Sequence, residues 1–142
     1  MQSLQVRDYL NSHPVTFTPD MAIEQASEMI TKTHELGGPV VDPTGNLVGF
    51  LSESDILGKM LETGYYNEHV SSVDQLMRKD VLTMKPYDSI VEVAQTMMQA
   101  KPKVYPVTDD DGNLLGTICR NDVLAALDSH IRSAFHVTTK TG

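Results

Sequence analysis

The chain contains two copies of one sequence pattern, and this repetition restricts its fold more than any other feature. The segment GNLVGFLSESD at positions 45–55 returns as GNLLGTICRND at positions 112–122. Pro19 and Pro86 fit the same offset of 67 residues (86 − 19). Because the offset holds without a gap from position 6 to position 57, the two halves are predicted to share one fold.

Each half shows the periodicities of a β-α-β-β-α unit. In the first half, strands and helices are predicted, in chain order, at 15–17, 21–34, 38–42, 47–51 and 53–61. In the second half, the same elements are predicted at 82–84, 90–98, 104–108, 114–118 and 122–127. A Gly-Asn turn joins the last two strands of each unit. The sequence therefore predicts an α+β protein made of tandem repeats.

The domain organisation follows from the repeats and their boundaries. It consists of a first repeat at 1–62, a polar linker at 63–72, a second repeat at 73–128 and a C-terminal tail at 129–142. Residues 133–142 are rich in threonine and lack periodicity, which predicts a frayed end. Since each half is small for a core of its own, we expect the halves to pack through their sheets around a pseudo-two-fold axis.

Composition and charge exclude several classes of protein. With 142 residues and a net charge of −8, the chain lacks the clustered cations that bind nucleic acid. No apolar run is long enough to span a membrane, and the N-terminus lacks a signal-peptide pattern. The single cysteine, Cys119, cannot form an internal disulfide, which agrees with a reducing compartment. These features predict a cytoplasmic protein that binds neither nucleic acid nor membrane.

An aspartate closes the repeated segment, at the step from a strand to a helix. Ser52 precedes Asp55 by three residues, as in a capping box that satisfies backbone N–H groups. The same place can also hold an anion or a hydroxyl, because the N–H groups of a helix N-terminus are unpaired. On this step alone, capping is favoured over ligand binding.

Taken together, the repeats resemble a cystathionine-β-synthase (CBS) domain pair, also called a Bateman module. The resemblance covers 6–127 and rests on the PVVD strand at 39–42, the GNLVG turn at 45–49 and the SESDIL step at 52–57. It implies a regulatory module with two clefts between the repeats. In many members these clefts hold an adenine nucleotide (ATP, ADP or AMP) or a related adenosyl ligand. A homodimer and a regulated protein of unknown identity are the other implied partners.

In such members the aspartate of the step accepts hydrogen bonds from the ribose hydroxyls, as a carboxylate can do for both at once. The resemblance also implies that the stretch before the proline of the opposite repeat faces the same cleft. Lys103 would then supply a cation near a phosphate. The expected nucleotide-binding residues of this first cleft are Asp55, Ser52, Ser54, Phe50, Lys103, Val104 and Thr83.

A second, equivalent cleft is expected to be degenerate. Cys119 and Asn121 depart from the Ser or Thr of the family pattern, and the facing stretch offers Glu35 instead of a cation. We therefore expect Asp122 to cap its helix. The residues of this second cleft are Asp122, Asn121, Thr117, Leu36, Gly37 and Thr16.

Other chemistries have weaker support. Asp109, Asp111 and Asn113 alternate like calcium ligands, but Arg120 stands where the closing Glu belongs, so a hairpin turn is predicted instead. The five histidines lack the close pairs of a zinc site. With no paired carboxylates and no nucleophile beside a base, the sequence predicts no enzyme, metal or cofactor.

The alternative to a ligand-binding module is a ligand-free one for dimerisation or protein interaction. In that interpretation Asp55 and Asp122 only cap their helices, and the helical faces bind a second copy or a partner protein. The methionines on the predicted helices suit either a core or such a face.

Overall fold

Each repeat builds a two-stranded sheet flanked by helices, and the second repeat follows the order of the first. The structure is a computed structural model and describes residues 4–63, 71–100 and 102–140. A 3-10 turn at Val6–Asp8 comes first. The further elements are α1 (Ile23–Thr33), β1 (Gly37–Val41), β2 (Leu47–Ser52), α2 (Glu53–Thr63), α3 (Val73–Leu76), α4 (Ile90–Gln99), β3 (Val104–Thr108), β4 (Leu114–Cys119) and α5 (Arg120–Lys140). The predicted tandem α+β architecture is confirmed.

The two sheets have the same register. In the first, antiparallel β1 and β2 place Gly38 opposite Leu51, and the register shifts after Val40. In the second, β3 and β4 place Tyr105 opposite Ile118, and the register shifts after Val107. The two shifts occur at equivalent positions, so the irregularity belongs to the repeat and not to one copy.

The first predicted strand of each half is reduced to a single parallel bridge. Phe17 bridges to Val40, and Met84 bridges to Val107 in the same way. Around Phe17, Pro14 and Pro19 limit the ladder, because proline has no N–H to donate. The prediction of strands at 15–17 and 82–84 was therefore wrong in extent, although their central residues do pair.

Each repeat has its own apolar core. The first segment of each repeat, however, packs into the core of the other repeat, so the two first segments are exchanged. Val6, from the start of the first repeat, is fully buried in the core of the second. Its equivalent Val73 is fully buried in the core of the first. The backbone follows the same exchange, since Val6 N donates to Asp88 O at 3.0 Å and Val73 N donates to Met21 O at 2.8 Å. Neither repeat completes its core without the other.

In each of the helices α1 and α4, apolar residues three or four positions apart form one buried stripe, as the sequence pattern predicted. The stripes occupy equivalent positions in the two repeats and consist of Ile23, Ala26 and Ile30 in α1 and Ile90, Val93 and Met97 in α4.

The two hairpin turns meet at the pseudo-two-fold axis. Leu47 N donates to Gly112 O, and Leu114 N donates to Gly45 O, both at 3.1 Å. Gly45 and Gly112 have φ values of 89° and 88°, a region that favours glycine. These reciprocal bonds join the two sheets, and β1 also contacts β3 and β4.

The C-terminal segment departs from the sequence prediction. A frayed end was expected from residue 133, but α5 continues from Arg120 to Lys140. No glycine or proline occurs in this stretch, so no residue interrupts the backbone hydrogen bonds. Arg132 Nε also donates to Asp128 Oδ2 at 2.8 Å across one turn.

The predicted linker at 63–72 lies mostly outside the described residues. Its described end already belongs to the exchanged segment, because Ile23 N donates to Ser71 O at 2.9 Å and Ala22 bridges to Ser72. The repeat boundaries at 62 and 128 stay predictions.

Candidate ligand-binding cleft

A cavity of about 370 Å³ opens beside the step from β2 to α2. Its volume lies within the usual range of small-molecule sites. Segments that are far apart in the sequence form its wall. The lining residues are Leu36, Phe50, Ser52, Glu53, Ser54, Arg78, Asp80, Val81, Leu82, Pro102, Lys103 and Val104.

Asp55, at the back of this step, is paired with Arg78. Arg78 Nε donates to Oδ1 and Oδ2 of Asp55 at 3.3 Å each, and Arg78 Nη2 donates to Oδ1 at 3.1 Å. The Asp55 side chain is 15% exposed and that of Arg78 is 67% exposed. The guanidinium therefore covers the carboxylate from the solvent side.

Asp55 also takes part in a reciprocal cap with Ser52. Asp55 N donates to Ser52 Oγ at 3.1 Å, and Ser52 N donates to Asp55 Oδ2 at 3.3 Å. Ser52 Oγ lies 3.1 Å from Ser54 Oγ, so the two hydroxyls form one polar edge of the cavity. Capping is present, and both hydroxyls still line the cavity.

Opposing influences act on the ionisation of Asp55. Partial burial raises the pKa of its carboxyl, but hydrogen bonds from Arg78 and Ser52, with the positive charge of Arg78, outweigh it. The net result is a pKa below the ordinary value for an aspartate. Asp55 is therefore a carboxylate at neutral pH and can accept hydrogen bonds from a ligand's hydroxyls.

Strand β2 positions the backbone of Arg78. Phe50 N donates to Arg78 O, and Arg78 N donates to Phe50 O, both at 2.9 Å. Gly49 permits this approach, because a Cβ there would lie 2.6 Å from Met77 Sδ and 2.9 Å from Arg78 O. The guanidinium is thus carried by a segment that belongs to the second repeat in sequence and packs on the first in space.

The cavity wall combines an apolar surface with charges of both signs. Arg78 and Lys103 are its cations, and Glu53 and Asp80 are its carboxylates among the lining residues. The apolar part consists of Leu36, Phe50, Val81, Leu82, Pro102 and Val104. Such a wall can hold a flat ring on one side and a small anion on the other.

The structure brings five of the seven residues expected in the first cleft to the cavity wall: Phe50, Ser52, Ser54, Lys103 and Val104. Asp55 lies behind Arg78, and Thr83 follows Leu82 at the end of the lining segment. Leu36, expected in the second cleft, lines this cavity instead, because Glu53 N donates to Leu36 O at 2.9 Å. Gly37 packs on the same side, where a Cβ would lie 2.9 Å from Phe50.

At the second step the aspartate caps its helix. Asp122 Oδ2 accepts a hydrogen bond from Cys119 N at 2.9 Å. Asn121 is exposed, Thr117 is buried in β4 and Thr16 is half-buried beside the Phe17 bridge. Asn11 bridges to Thr117 here, at the position equivalent to Arg78.

Sequence reasoning missed Arg78 and the segment 80–82. The exchange of first segments brings them to the cavity, and the repeat offset alone does not predict that exchange. A usable signal did exist, since Arg78 and Asn11 are equivalent and only one of them is charged.

The described residues contain no cluster of three or more His, Cys, Asp or Glu side chains that could hold a metal ion. At the acidic turn, Asp109 Oδ1 accepts from the backbone N–H groups of Asp111 and Asn113, as a hairpin turn requires. Within the described part of the chain, a helix with the length and apolarity to cross a bilayer does not occur.

Comparison with known proteins identifies the class. The family model for the CBS domain matches residues 6–62 and 70–129, so this chain belongs to the CBS-domain family. The uncharacterised protein MJ0188 of Methanocaldococcus jannaschii is 31% identical over 122 residues. That match covers 86% of this chain and 43% of MJ0188, so the chain spans less than half of this relative.

Solved structures share the fold over nearly the whole chain. The CBS domain pair of protein MJ0100, in complex with 5′-methylthioadenosine and S-adenosyl-L-methionine, has a TM-score of 0.76 and 25% identity. The match covers 91% of this chain and 99% of that one. CBSX2 of Arabidopsis thaliana, in complex with AMP, has a TM-score of 0.75 and 24% identity, with coverages of 95% and 98%. The predicted CBS pair is confirmed.

Proposed function

We propose that this chain is a regulatory CBS-pair module that binds an adenine nucleotide or a related adenosyl ligand in the cavity beside Ser52. The observation that carries the proposal is the cavity itself. It combines an apolar wall, two hydroxyls and two cations, and one of these cations, Arg78, pairs with the ionised Asp55. The lining residues that the structure describes suggest no bond breaking, so the proposed role is recognition and not catalysis.

Each part of such a ligand has a matching partner in the cavity. The base would lie against Phe50 and Val104, the ribose diol would bond to Asp55 and Ser52, and the phosphate would lie near Lys103. Thr83 would stand at the edge of this site. A carboxylate accepts well from two neighbouring hydroxyls, and a lysine ammonium pairs well with a phosphate.

The relatives support an adenosyl ligand. 5′-Methylthioadenosine and S-adenosyl-L-methionine, present with the CBS pair of MJ0100, share the adenosyl group. A pair of this kind regulates when occupancy of the cleft changes its contacts with a partner. We propose such a partner protein here, and a cytoplasmic location in view of the acidic charge and single cysteine.

Thermal unfolding with candidate ligands tests this function. AMP, ADP, ATP, S-adenosylmethionine and 5′-methylthioadenosine would each be added to the wild-type chain, with CMP as a control that lacks adenine. A ligand that binds only the folded state, at about 100 times its dissociation constant, stabilises the fold by about 2.7 kcal/mol. If no adenosine compound raises the midpoint, the proposal is wrong.

Exposed apolar helix residues favour a second candidate, a homodimer or protein-interaction module. Leu57 on α2 is 59% exposed and its equivalent Leu124 on α5 is 65% exposed, while Ile56 and Val123 beside them are buried. Exposed leucines at matching places suit a symmetric contact between copies.

The assembly state separates this candidate from the first. We expect the wild-type chain to sediment as a dimer and the double variant Leu57→Glu, Leu124→Glu to sediment as a monomer. Lys79→Glu, a charge change at another exposed position, should leave the assembly unchanged. A wild-type monomer would exclude the homodimer.

A further inference from the structure

The ion pair of Arg78 and Asp55 occupies the carboxylate that the proposed ligand needs. Both oxygens of Asp55 accept from the guanidinium, at 3.1 to 3.3 Å. A ribose diol would need acceptor positions on the same two oxygens, and Oδ2 also accepts from Ser52 N at 3.3 Å. A ligand with a diol must therefore displace Arg78 from Asp55.

Displacement is feasible because the pair is open to solvent on one side. The Arg78 side chain is 67% exposed, so its guanidinium is already in contact with solvent and stays hydrated when it leaves Asp55. Its backbone is fixed to Phe50 by two hydrogen bonds, so the guanidinium can turn while its anchor stays at the cavity wall. Once released, it would be a cation without its carboxylate.

We infer that Arg78 is a displaceable lock that makes the cavity select for diol ligands carrying an anionic group. The diol takes Asp55, and the released guanidinium, which lines the cavity as Lys103 does, binds the anion of the same ligand. This inference rests on the proposed function and adds a specificity-determining residue to it. A neutral nucleoside would displace Arg78 without giving it a new partner.

The other charges of the cavity fit this role. Glu53 and Asp80 also line it, so without Arg78 the described lining would carry two carboxylates and one cation. A guanidinium adds a planar donor set that matches a phosphate with two parallel hydrogen bonds. The equivalent position beside the second step is Asn11, a residue of the first repeat, whose Oδ1 accepts from His13 N at 3.0 Å. The lock is thus specific to the first cleft.

Calorimetric titration of AMP and adenosine tests the lock. For the wild-type chain we expect AMP to bind more tightly than adenosine. In Arg78→Gln the ratio of the two affinities should fall about 10- to 100-fold, the usual effect of one charge-assisted hydrogen bond. Adenosine should bind the variant at least as tightly as the wild type, because Asp55 is then uncovered. Arg78→Lys, which keeps the charge but not the planar donors, should give an intermediate ratio.

Lys79→Gln is the matched control, since it removes one exposed positive charge outside the cavity lining. It should leave the ratio unchanged. An equal loss of AMP and adenosine affinity in Arg78→Gln would overturn the inference in favour of a structural role. Unchanged affinities for both ligands would overturn it as well. If the wild-type chain binds neither ligand, nor any other adenosine compound, the proposed function fails and the lock fails with it.

Discussion

Arg78 and Asn11 occupy equivalent positions, 67 residues apart (78 − 11), and each bridges to a strand of the other repeat. Arg78 pairs through its backbone with Phe50, and Asn11 with Thr117. The backbone geometry is the same, but only Arg78 brings a charge to the neighbouring aspartate. The two steps that look alike in sequence are therefore electrostatically different.

This difference predicts which aspartate the ligand needs. Asp55→Ala should abolish the rise in unfolding midpoint caused by an adenosine ligand, because the ribose loses its acceptor. Asp122→Ala should lower the stability of the ligand-free protein by about 1 kcal/mol through loss of its cap, and keep the ligand-induced rise. Thermal unfolding of both variants with and without ligand measures this. The reverse pattern would assign binding to the second cleft.

The pKa of Asp55 predicts a pH dependence of stability. Because its folded-state pKa lies below the unfolded value of about 3.9, ionised Asp55 stabilises the fold at higher pH. That contribution is lost as pH falls through the folded pKa. We expect wild type to be more stable than Asp55→Asn by about 1 kcal/mol above pH 5, and this difference to shrink below about pH 4.

Denaturant unfolding from pH 7 to pH 3 measures this difference. Asp20→Asn removes one exposed carboxylate and serves as the control with the same change in charge. A gap between wild type and Asp55→Asn that stays constant or widens in acid would contradict the pairing of Asp55 with Arg78.

The fold was largely predictable because each turn, strand and helix pattern occurs twice in the sequence, 67 residues apart. Gly45 with Asn46 and Gly112 with Asn113 indicated both hairpins, and the apolar spacing indicated the helices. The polar step at Ser52 was also visible in the sequence. What the offset could not indicate is which repeat a segment packs against, since both copies offer the same surface. Arg78 was missed for that reason.

The exchange of first segments predicts that a change near one end of the chain destabilises the far repeat. Val6→Ala should lower the free energy of unfolding by about 2 kcal/mol, because it leaves a cavity in the second core, to which Tyr105 and Ile118 also belong. Val73→Ala should have a similar effect on the first core. Hydrogen exchange of each variant shows which repeat loses protection. Loss confined to the neighbourhood of residue 6 in sequence would contradict the exchange.

Two glycines, one in a hairpin turn and one in a helix, are predicted to respond in opposite directions to substitution by alanine. Gly45→Ala should destabilise the protein by about 1 kcal/mol, because φ is 89° although a Cβ there would meet nothing within 4 Å. Gly58→Ala, at an equally open place inside α2, should stabilise it by roughly 0.5 to 1 kcal/mol. Chemical denaturation of the two variants measures both. If both substitutions changed the free energy of unfolding in the same direction, backbone conformation would not control stability at these two positions.

The buried hydroxyl of Tyr105 predicts a stabilising substitution. Tyr105 is fully buried in the second core, and its hydroxyl has no hydrogen-bond partner among the described residues. Burial also raises the pKa of this hydroxyl, so it stays neutral. Because an unsatisfied buried polar group costs about 1 to 3 kcal/mol, Tyr105→Phe should raise the free energy of unfolding by about 1 kcal/mol.

Tyr87→Phe is the matched control for the loss of a phenol oxygen. Its hydroxyl donates to Asp110 Oδ1 at 2.8 Å on the exposed hairpin, so its removal should change stability by less than about 0.5 kcal/mol. Denaturant unfolding of the two variants side by side measures the contrast. A Tyr105→Phe variant that is less stable than wild type would show that the hydroxyl has a partner in solution, such as a bound water, because its loss would then remove a hydrogen bond.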